Sequence, residues 1–119
     1  MPVCLILSDD LIDGSRIGGH AKALGYETLI ARTQAQVVAH LATQPAAVLI
    51  DLHNGSLDVA ALVEAVQGVS PRPRLVAFGS HVDAQRLKAA RVAGCDLVLP
   101  RSAFFEDLDG NIARWCAAD

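Results

Sequence analysis

The chain has 119 residues, which is the length of one domain and enough to bury a core without disulfides or structural metals. Hydrophobic residues make up 52% of the chain and charged residues 19%, which excludes a disordered or collagen-like protein. The formal net charge is −3, so the chain lacks the basic field that direct binding to a nucleic acid requires. No apolar run approaches the roughly 20 residues that cross a bilayer, and the N-terminus lacks the basic start of a signal peptide. We therefore expect a cytoplasmic protein that enters no membrane.

Short apolar segments alternate along the chain with longer segments of helical period. This alternation is typical of repeated β-α units. Five segments have strand character, and they cover residues 3–8, 28–31, 47–51, 75–78 and 97–99. Several of them are apolar throughout, as parallel strands covered by helices on both faces should be.

The first two predicted helices differ in the strength of their signals. In the first, Gly18 and Gly19 each cost about 1 kcal/mol relative to alanine, so we expect that helix to begin late, to fray or to bend. The second begins at a capping box formed by Thr33 and Gln36, whose side chains can bond the free N–H groups of a first helical turn.

The later helices carry clearer end signals. Ser56 is the predicted N-terminal cap of the third helix, and Gly68 is its predicted left-handed C-terminal residue. Asp83 caps the fourth helix, which Gly94 ends. The last segment is predicted as one helix with an apolar face made of Phe105, Leu108, Ile112 and Trp115.

Five β-α units in a chain of this length predict an α/β fold in a single domain, residues 1–119. The predicted architecture is a doubly wound, five-stranded parallel sheet of strand order 2-1-3-4-5 in a flavodoxin-like three-layer sandwich. In such a sheet, ligands bind at the carboxyl ends of the strands, beside the point where the strand order reverses. Asp9 and Asp10 follow the first strand and Asp51 closes the third, so function is predicted at these three residues.

Three carboxylates at one sheet edge would repel one another without a cation. Mg²⁺ suits Asp9, Asp10 and Asp51 because it binds one or two carboxylates together with waters and a phosphate oxygen. A carboxylate in this position can act as a nucleophile toward phosphorus and form an acyl phosphate. The cluster therefore favours phosphoryl transfer with Mg²⁺ as the cofactor.

At this point the sequence resembles the response-regulator receiver domain of two-component signalling, over essentially its whole length. The resemblance rests on residues 5–10 (LILSDD), 24–27 (LGYE), 45–51 (PAAVLID) and 93–99 (AGCDLVL). It implies that Asp9 and Asp10 hold Mg²⁺ and that Asp51 is the phosphoacceptor.

The resemblance also implies partners. A histidine kinase or phosphotransfer protein would supply the phosphoryl group. A downstream protein partner or output domain would then bind the surface around the fourth and fifth helices and the fifth strand. No nucleophile and base can be paired for turnover of a free substrate, so we expect a signalling phosphoprotein and no enzyme. The chain would act alone or as part of a longer protein.

Several positions depart from the family pattern. Arg101 stands at the position of the family lysine, and Gly79 stands at the position of the switch threonine, with Ser80 beside it as a hydroxyl substitute. Gly55 and Ser102 each stand where the family has a proline, and Val98 stands where it has an aromatic residue. Arginine binds phosphate well but does not replace a compact ammonium group in a small site. Two functions therefore stay open: an atypical receiver phosphorylated on Asp51, or a phosphorylation-independent pseudo-receiver that acts as a protein-interaction module.

The histidines leave one further alternative. His53 and His81 are predicted at the same sheet edge as Asp51, and a site of Asp51, His53 and Asp9 would favour Zn²⁺ or Mn²⁺ over Mg²⁺.

Two other patterns carry weaker signals. The glycines at positions 14, 18 and 19 match neither the dinucleotide-binding nor the P-loop pattern. The cysteines have no metal-binding spacing, so we interpret them as small buried hydrophobic residues in a reducing compartment: Cys4, Cys95 and Cys116.

Overall fold

The computed structural model describes residues 2–117, which form one parallel five-stranded sheet with helices on both faces. The strands are β1 (Val3–Leu7), β2 (Glu27–Ala31), β3 (Ala47–Asp51), β4 (Arg74–Gly79) and β5 (Leu97–Pro100). The helices are α1 (Leu11–Ala23), α2 (Gln34–His40), α3 (Val59–Gln67), α4 (Ala84–Ala93), α5 (Arg101–Glu106) and α6 (Leu108–Trp115), and a 3₁₀ helix at Leu41–Thr43 follows α2.

The strand order is β2-β1-β3-β4-β5, as predicted. Every pair of neighbouring strands is parallel, and Leu7 of β1 lies opposite Ile50 of β3. Both strands are buried along their whole length because helices cover the two faces of the sheet. The carboxyl ends of β1 and β3 therefore lie side by side.

Alternate residues of the strands feed two separate cores. Leu5 of β1 faces the core covered by α2, α3 and α4, whereas Ile6 faces the core covered by α1, α5 and α6. Phe104 stacks between Phe78 and Trp115 in the second core, with ring centroids 4.2 and 5.1 Å away. These aromatic contacts fix the last two helices against β4.

The expectation of a late, frayed or bent first helix is wrong. Helix α1 begins at Leu11, directly after its cap Asp10, and runs without a break to Ala23. Gly18 faces the edge strand β2, and a methyl group there would lie 3.1 Å from Cδ1 of Ile30. Close packing of α1 on β2 therefore outweighs the local cost of the glycine.

The helix caps confirm the predictions for Thr33, Asp83 and Gly94, and correct those for the third helix. The capping box forms only in part, because the Gln36 side chain accepts the Arg32 N–H and not that of Thr33. Asp58, not Ser56, caps α3, because the Ser56 hydroxyl accepts the Gln34 N–H and donates to Asn54. Gly68 has a φ of −79°, so it ends the helix in a right-handed conformation.

The last predicted helix is two helices that meet at Asp107. The Asp107 carboxylate accepts the Gly110 N–H and caps α6, which interrupts the helical period. Phe104, not Phe105, consequently enters the core, whereas Trp115 is buried as expected. Within the described part of the chain, no helix is long and apolar enough to cross a membrane.

Replacing Gly94 with alanine should lower the free energy of unfolding by about 1–2 kcal/mol, because Gly94 has a φ of +110° that a Cβ atom disfavours. The matched control is Gly68→Ala at the end of α3, whose backbone any residue can adopt. Urea denaturation of the two variants measures the difference. Equal losses at the two positions would contradict this interpretation.

Candidate functional site

Asp51 is the last residue of β3 and lies at the carboxyl edge of the sheet with 6% of its surface exposed. The register of β1 and β3 places Ser8, one residue past β1, beside it. The Asp51 Oδ1 atom accepts the backbone N–H of His53 at 2.9 Å. Every buried side-chain oxygen within residues 2–117 has a hydrogen-bond partner, and no described residue donates to Oδ2, so this atom keeps some contact with solvent.

Burial raises the pKa of Asp51 above its usual value of 3.8. The His53 N–H and the nearby charge of Arg101 oppose this shift, whereas the carboxylate of Asp13 adds to it. The charged carboxylate of Asp51 therefore costs folding free energy. Asp13 of α1 and Arg101 of α5 both act on this charge.

The predicted metal ligands Asp9 and Asp10 follow β1 at the same carboxyl edge of the sheet as Asp51. Asp10 caps α1, and its Oδ1 accepts the N–H groups of Ile12 and Asp13, each at 2.9 Å. Asp9 is exposed between β1 and α1. Among the described residues, no three His, Cys, Asp or Glu side chains are grouped so that they could hold a metal ion.

Arg101 forms a two-point ion pair with Asp13, a residue that sequence reasoning missed. Its Nη1 and Nη2 atoms donate to the two carboxylate oxygens at 2.8 and 2.9 Å. Asp13 lies in the first turn of α1, three residues after the cap Asp10, with 10% of its side chain exposed. Its position in the first turn of the helix directly after β1 is the signal by which Asp13 could have been identified.

The guanidinium of Arg101 lies at the start of α5, next to the ring of Phe105 at 5.1 Å from its centroid. The hydrogen bonds with Asp13 raise the pKa of Arg101 above its ordinary value, and the charges of Asp51 and Asp10 act in the same direction. Arg101 is therefore a permanent cation at the carboxyl edge.

The residues at this edge fit a divalent cation poorly. The guanidinium engages both oxygens of Asp13, and helix capping engages one oxygen of Asp10. A fixed positive charge also stands near Asp51, where a bound Mg²⁺ would add a second one. The sequence-based assignment of Mg²⁺ to Asp9, Asp10 and Asp51 remains a prediction.

His53 connects the loop after Asp51 with the loop after β4. Its Nε2 atom accepts the Ser80 N–H at 2.9 Å. A Cβ atom at Gly79 would lie 3.3 Å from this Nε2, so the imidazole occupies the space beside the position of the family threonine. The Ser80 hydroxyl accepts the Val82 N–H and closes the turn into α4.

The loop after Asp51 is also bonded to helix α4. The Arg86 Nη1 atom of α4 donates to the Leu52 carbonyl at 3.0 Å.

The alternative Zn²⁺ or Mn²⁺ site finds no support here, because Ser80 uses the Nε2 atom of His53 and no group of three metal-binding side chains is present within residues 2–117.

The chain resembles solved receiver domains in fold. A response-regulator signal receiver domain from Bermanella marisrubri has a TM-score of 0.81 at 23% sequence identity, and the match covers 97% of this chain and 98% of that one. A response regulator receiver domain protein from Methanospirillum hungatei has a TM-score of 0.80 at 19% identity and coverages of 98% and 94%.

A third match is the receiver domain of a sensor histidine kinase from Pseudomonas aeruginosa, whose structure holds a magnesium ion in the active site cleft. Its TM-score is 0.80 at 18% identity, with coverage of 98% of each chain. Neither a protein-family model nor a curated protein matches the sequence. At these identities the likeness establishes the fold, so the chain has the flavodoxin-like receiver fold and the predicted resemblance is confirmed.

Replacing Asp51 with asparagine should stabilise the protein near pH 7. Asparagine keeps an acceptor for the His53 N–H and removes a buried charge. The folded state raises the pKa of Asp51, so it binds more protons than the unfolded state between the two pKa values, and stability falls as the pH rises through this window. The gain from Asp51→Asn should therefore shrink as the pH falls below about 4. Urea denaturation of wild type and Asp51→Asn, near pH 7 and below about pH 4, measures this difference in stability. An Asp51→Asn variant less stable than wild type at neutral pH would contradict the expectation.

Replacing His53 with alanine should loosen the turn into α4. The Ser80 N–H loses its acceptor, so its hydrogen–deuterium exchange should become faster. NMR-detected exchange measures this residue directly, and His81→Ala, at an exposed histidine of the same turn, is the matched control. Unchanged protection of Ser80 in His53→Ala would show that the imidazole does not hold the turn.

Proposed function

We propose that this chain is a pseudo-receiver: a signalling module of the receiver fold that binds a protein partner without being phosphorylated on Asp51. Receiver domains are signalling modules, so the fold supports the general class. The finer assignment rests on one observation, the two-point ion pair between Asp13 and Arg101.

The ion pair supplies the carboxyl edge with its own cation. In a phosphorylated receiver, the family lysine must be able to contact the phosphoryl group. Arg101 instead has two of its N–H groups committed to Asp13 and lies beside an aromatic ring. Breaking a partly buried, two-point pair costs free energy, so this conformation is the low-energy one.

The second support comes from the loop after β4. A hydroxyl at position 79 would move toward a phosphoryl group on Asp51, but Gly79 has no side chain. The imidazole of His53 holds this loop by bonding the Ser80 N–H, and Arg86 ties α4 to Leu52. The loop is thus bonded in one position without any modification of Asp51.

The partner we propose is a protein with an apolar patch. On the face formed by α4 and β5, Val92 and Leu97 are exposed, with 79% and 37% of their surfaces accessible. A protein partner bound at this face would cover both apolar side chains. This is the face that the resemblance assigns to the downstream partner or output domain.

A second candidate function is phosphorylation of Asp51 by a histidine kinase or phosphotransfer protein. The observation that favours it is the Oδ2 atom of Asp51, which keeps some contact with solvent and has no hydrogen-bond donor among the described residues. The Pseudomonas aeruginosa receiver domain with magnesium in its cleft makes Mg²⁺ the cofactor to test.

Incubation of the protein with acetyl phosphate, with and without Mg²⁺, distinguishes the two functions when the intact mass is measured afterwards. Wild type should gain no phosphoryl group under either condition, because Arg101 remains paired with Asp13. A receiver domain with lysine and threonine at the two altered positions is the positive control. Asp51→Asn is the negative control.

A phosphoryl adduct on wild type that is absent from Asp51→Asn would overturn the pseudo-receiver and establish the second candidate. A titration with Mg²⁺ alone, followed by amide chemical shifts of residues 8–13 and 51–53, gives an independent measure. Saturable shifts in wild type would contradict the poor fit of the carboxyl edge to a divalent cation.

A further inference from the structure

A cavity of about 790 Å³ lies at the amino end of the sheet, away from Asp51. The starts of all five strands contribute to its lining, through Pro2, Tyr26, Ala46, Arg74 and Asp96. Trp115, at the end of α6, adds an aromatic side chain. The volume falls within the range of roughly 300–1,000 Å³ that small-molecule sites occupy.

The Trp115 side chain brings a hydrogen-bond donor without a protein acceptor to this cavity. Only 5% of the residue is exposed, and stacking on Phe104 fixes the orientation of its ring. No described residue accepts the Nε1–H. Every fully buried side-chain nitrogen within residues 2–117 has a hydrogen-bond partner, so this N–H keeps some contact with solvent. Because Trp115 lines the cavity, an acceptor atom of a ligand could satisfy the N–H there.

Tyr26 and Arg72 add further donors to the lining. Arg72 donates through Nη1 alone, to Asp96 at 2.7 Å and to the Pro73 carbonyl at 3.3 Å, and no described residue accepts from its Nη2 atom. The ring of Tyr26 packs against the core covered by α1, α5 and α6, and none of the described residues is hydrogen-bonded to its hydroxyl. The cavity therefore favours a ligand with acceptor atoms.

The charge of the cavity favours an anion. Among the described lining residues are two arginines, Arg72 and Arg74, and one acid, Asp96. The Asp96 carboxylate is already engaged, because its Oδ2 atom accepts both from Arg72 and from the Leu75 N–H at 2.7 Å. Arg74 donates to the Arg114 carbonyl at 2.9 Å, which helps to hold its guanidinium in place. These residues carry one positive charge more than they carry negative charges, and guanidinium groups bind carboxylates well.

We propose that this cavity binds a small planar organic anion, in which a carboxylate is attached to an aromatic or conjugated group. The carboxylate accepts hydrogen bonds from the Arg72 guanidinium and the Trp115 indole N–H. The planar group lies against the ring of Tyr26 and against Pro45 and Pro71, which also line the cavity. Apolar walls with a few fixed polar groups are the usual composition of a small-molecule site.

This site is independent of the proposed function, because it lies at the opposite end of the strands from Asp51 and Arg101. A ligand there contacts the starts of the strands and the end of α6, and it touches neither member of the ion pair between Asp13 and Arg101. Failure of one proposal therefore leaves the other standing.

The test titrates the folded full chain with cinnamate, a planar conjugated carboxylate, and follows the amide and indole N–H signals by NMR. Trp115 is the only tryptophan of the chain, so its indole N–H gives a single signal. This signal and the amide signals of Tyr26 and Asp96 should shift and saturate, whereas those of residues 51–53 should stay in place. Two matched compounds should bind about tenfold more weakly or worse: cinnamamide, which lacks the charge, and acetate, which lacks the planar group.

Variants at Arg72 test the contact with the carboxylate. Arg72→Gln should weaken the binding of cinnamate by about tenfold or more, because a charge-assisted hydrogen bond is lost. Arg72→Lys keeps the charge and should bind cinnamate with intermediate affinity. Lys88→Gln removes the same charge from an exposed position of α4 and is the matched control, with the affinity of wild type. The titrations of wild type do not depend on how well these variants fold.

The absence of a saturable shift of the Trp115 indole signal with cinnamate would overturn the proposal. So would binding of cinnamamide or of acetate as tight as that of cinnamate, because the cavity would then not require both the charge and the planar group. An unchanged affinity in Arg72→Gln, or shifts centred on residues 51–53, would place the binding at another part of the protein and would overturn it as well.

Discussion

The ion pair between Asp13 and Arg101 sets the charge balance at the carboxyl edge of the sheet. It joins the first turn of α1 to the start of α5, two segments that are far apart in sequence and meet only because β1 and β5 belong to one parallel sheet. Both carboxylate oxygens and two guanidinium N–H groups are satisfied by each other, which is the strongest arrangement that these side chains can form. Asp51, buried nearby, feels both charges.

The position of this pair depends on how α1 is built. Asp10 caps the helix directly after β1, so Asp13 falls in the first turn and points along the sheet edge toward α5. The glycines at positions 14 and 18 allow α1 to pack closely on β2, which keeps the first turn near the strand ends. Two glycines that disfavour a helix locally thus help to position Asp13, because larger side chains at these positions would hold α1 farther from the sheet.

Much of the fold could be predicted from the sequence, because alternating apolar strands and capped helices are local signals. The strand order, the caps at Thr33 and Asp83 and the turn at Gly94 follow from such signals. The site could be predicted only in part. The position of Asp51 at the carboxyl edge could be predicted from its place at a strand end, but Asp13 was missed because its ion pair depends on a partner 88 residues away. His53 was placed at this edge from the sequence, but its bond to the Ser80 N–H could not be predicted, because only the sheet brings the two loops together.

A double-mutant cycle on Asp13→Asn and Arg101→Gln, with unfolding free energies from urea denaturation, measures the coupling between the two side chains. We expect a coupling of roughly 0.5–3 kcal/mol between the two side chains. The double variant should therefore lose less stability than the sum of the two single losses, by this amount. Additive losses, with no coupling within error, would show that Asp13 and Arg101 do not act as a pair in solution.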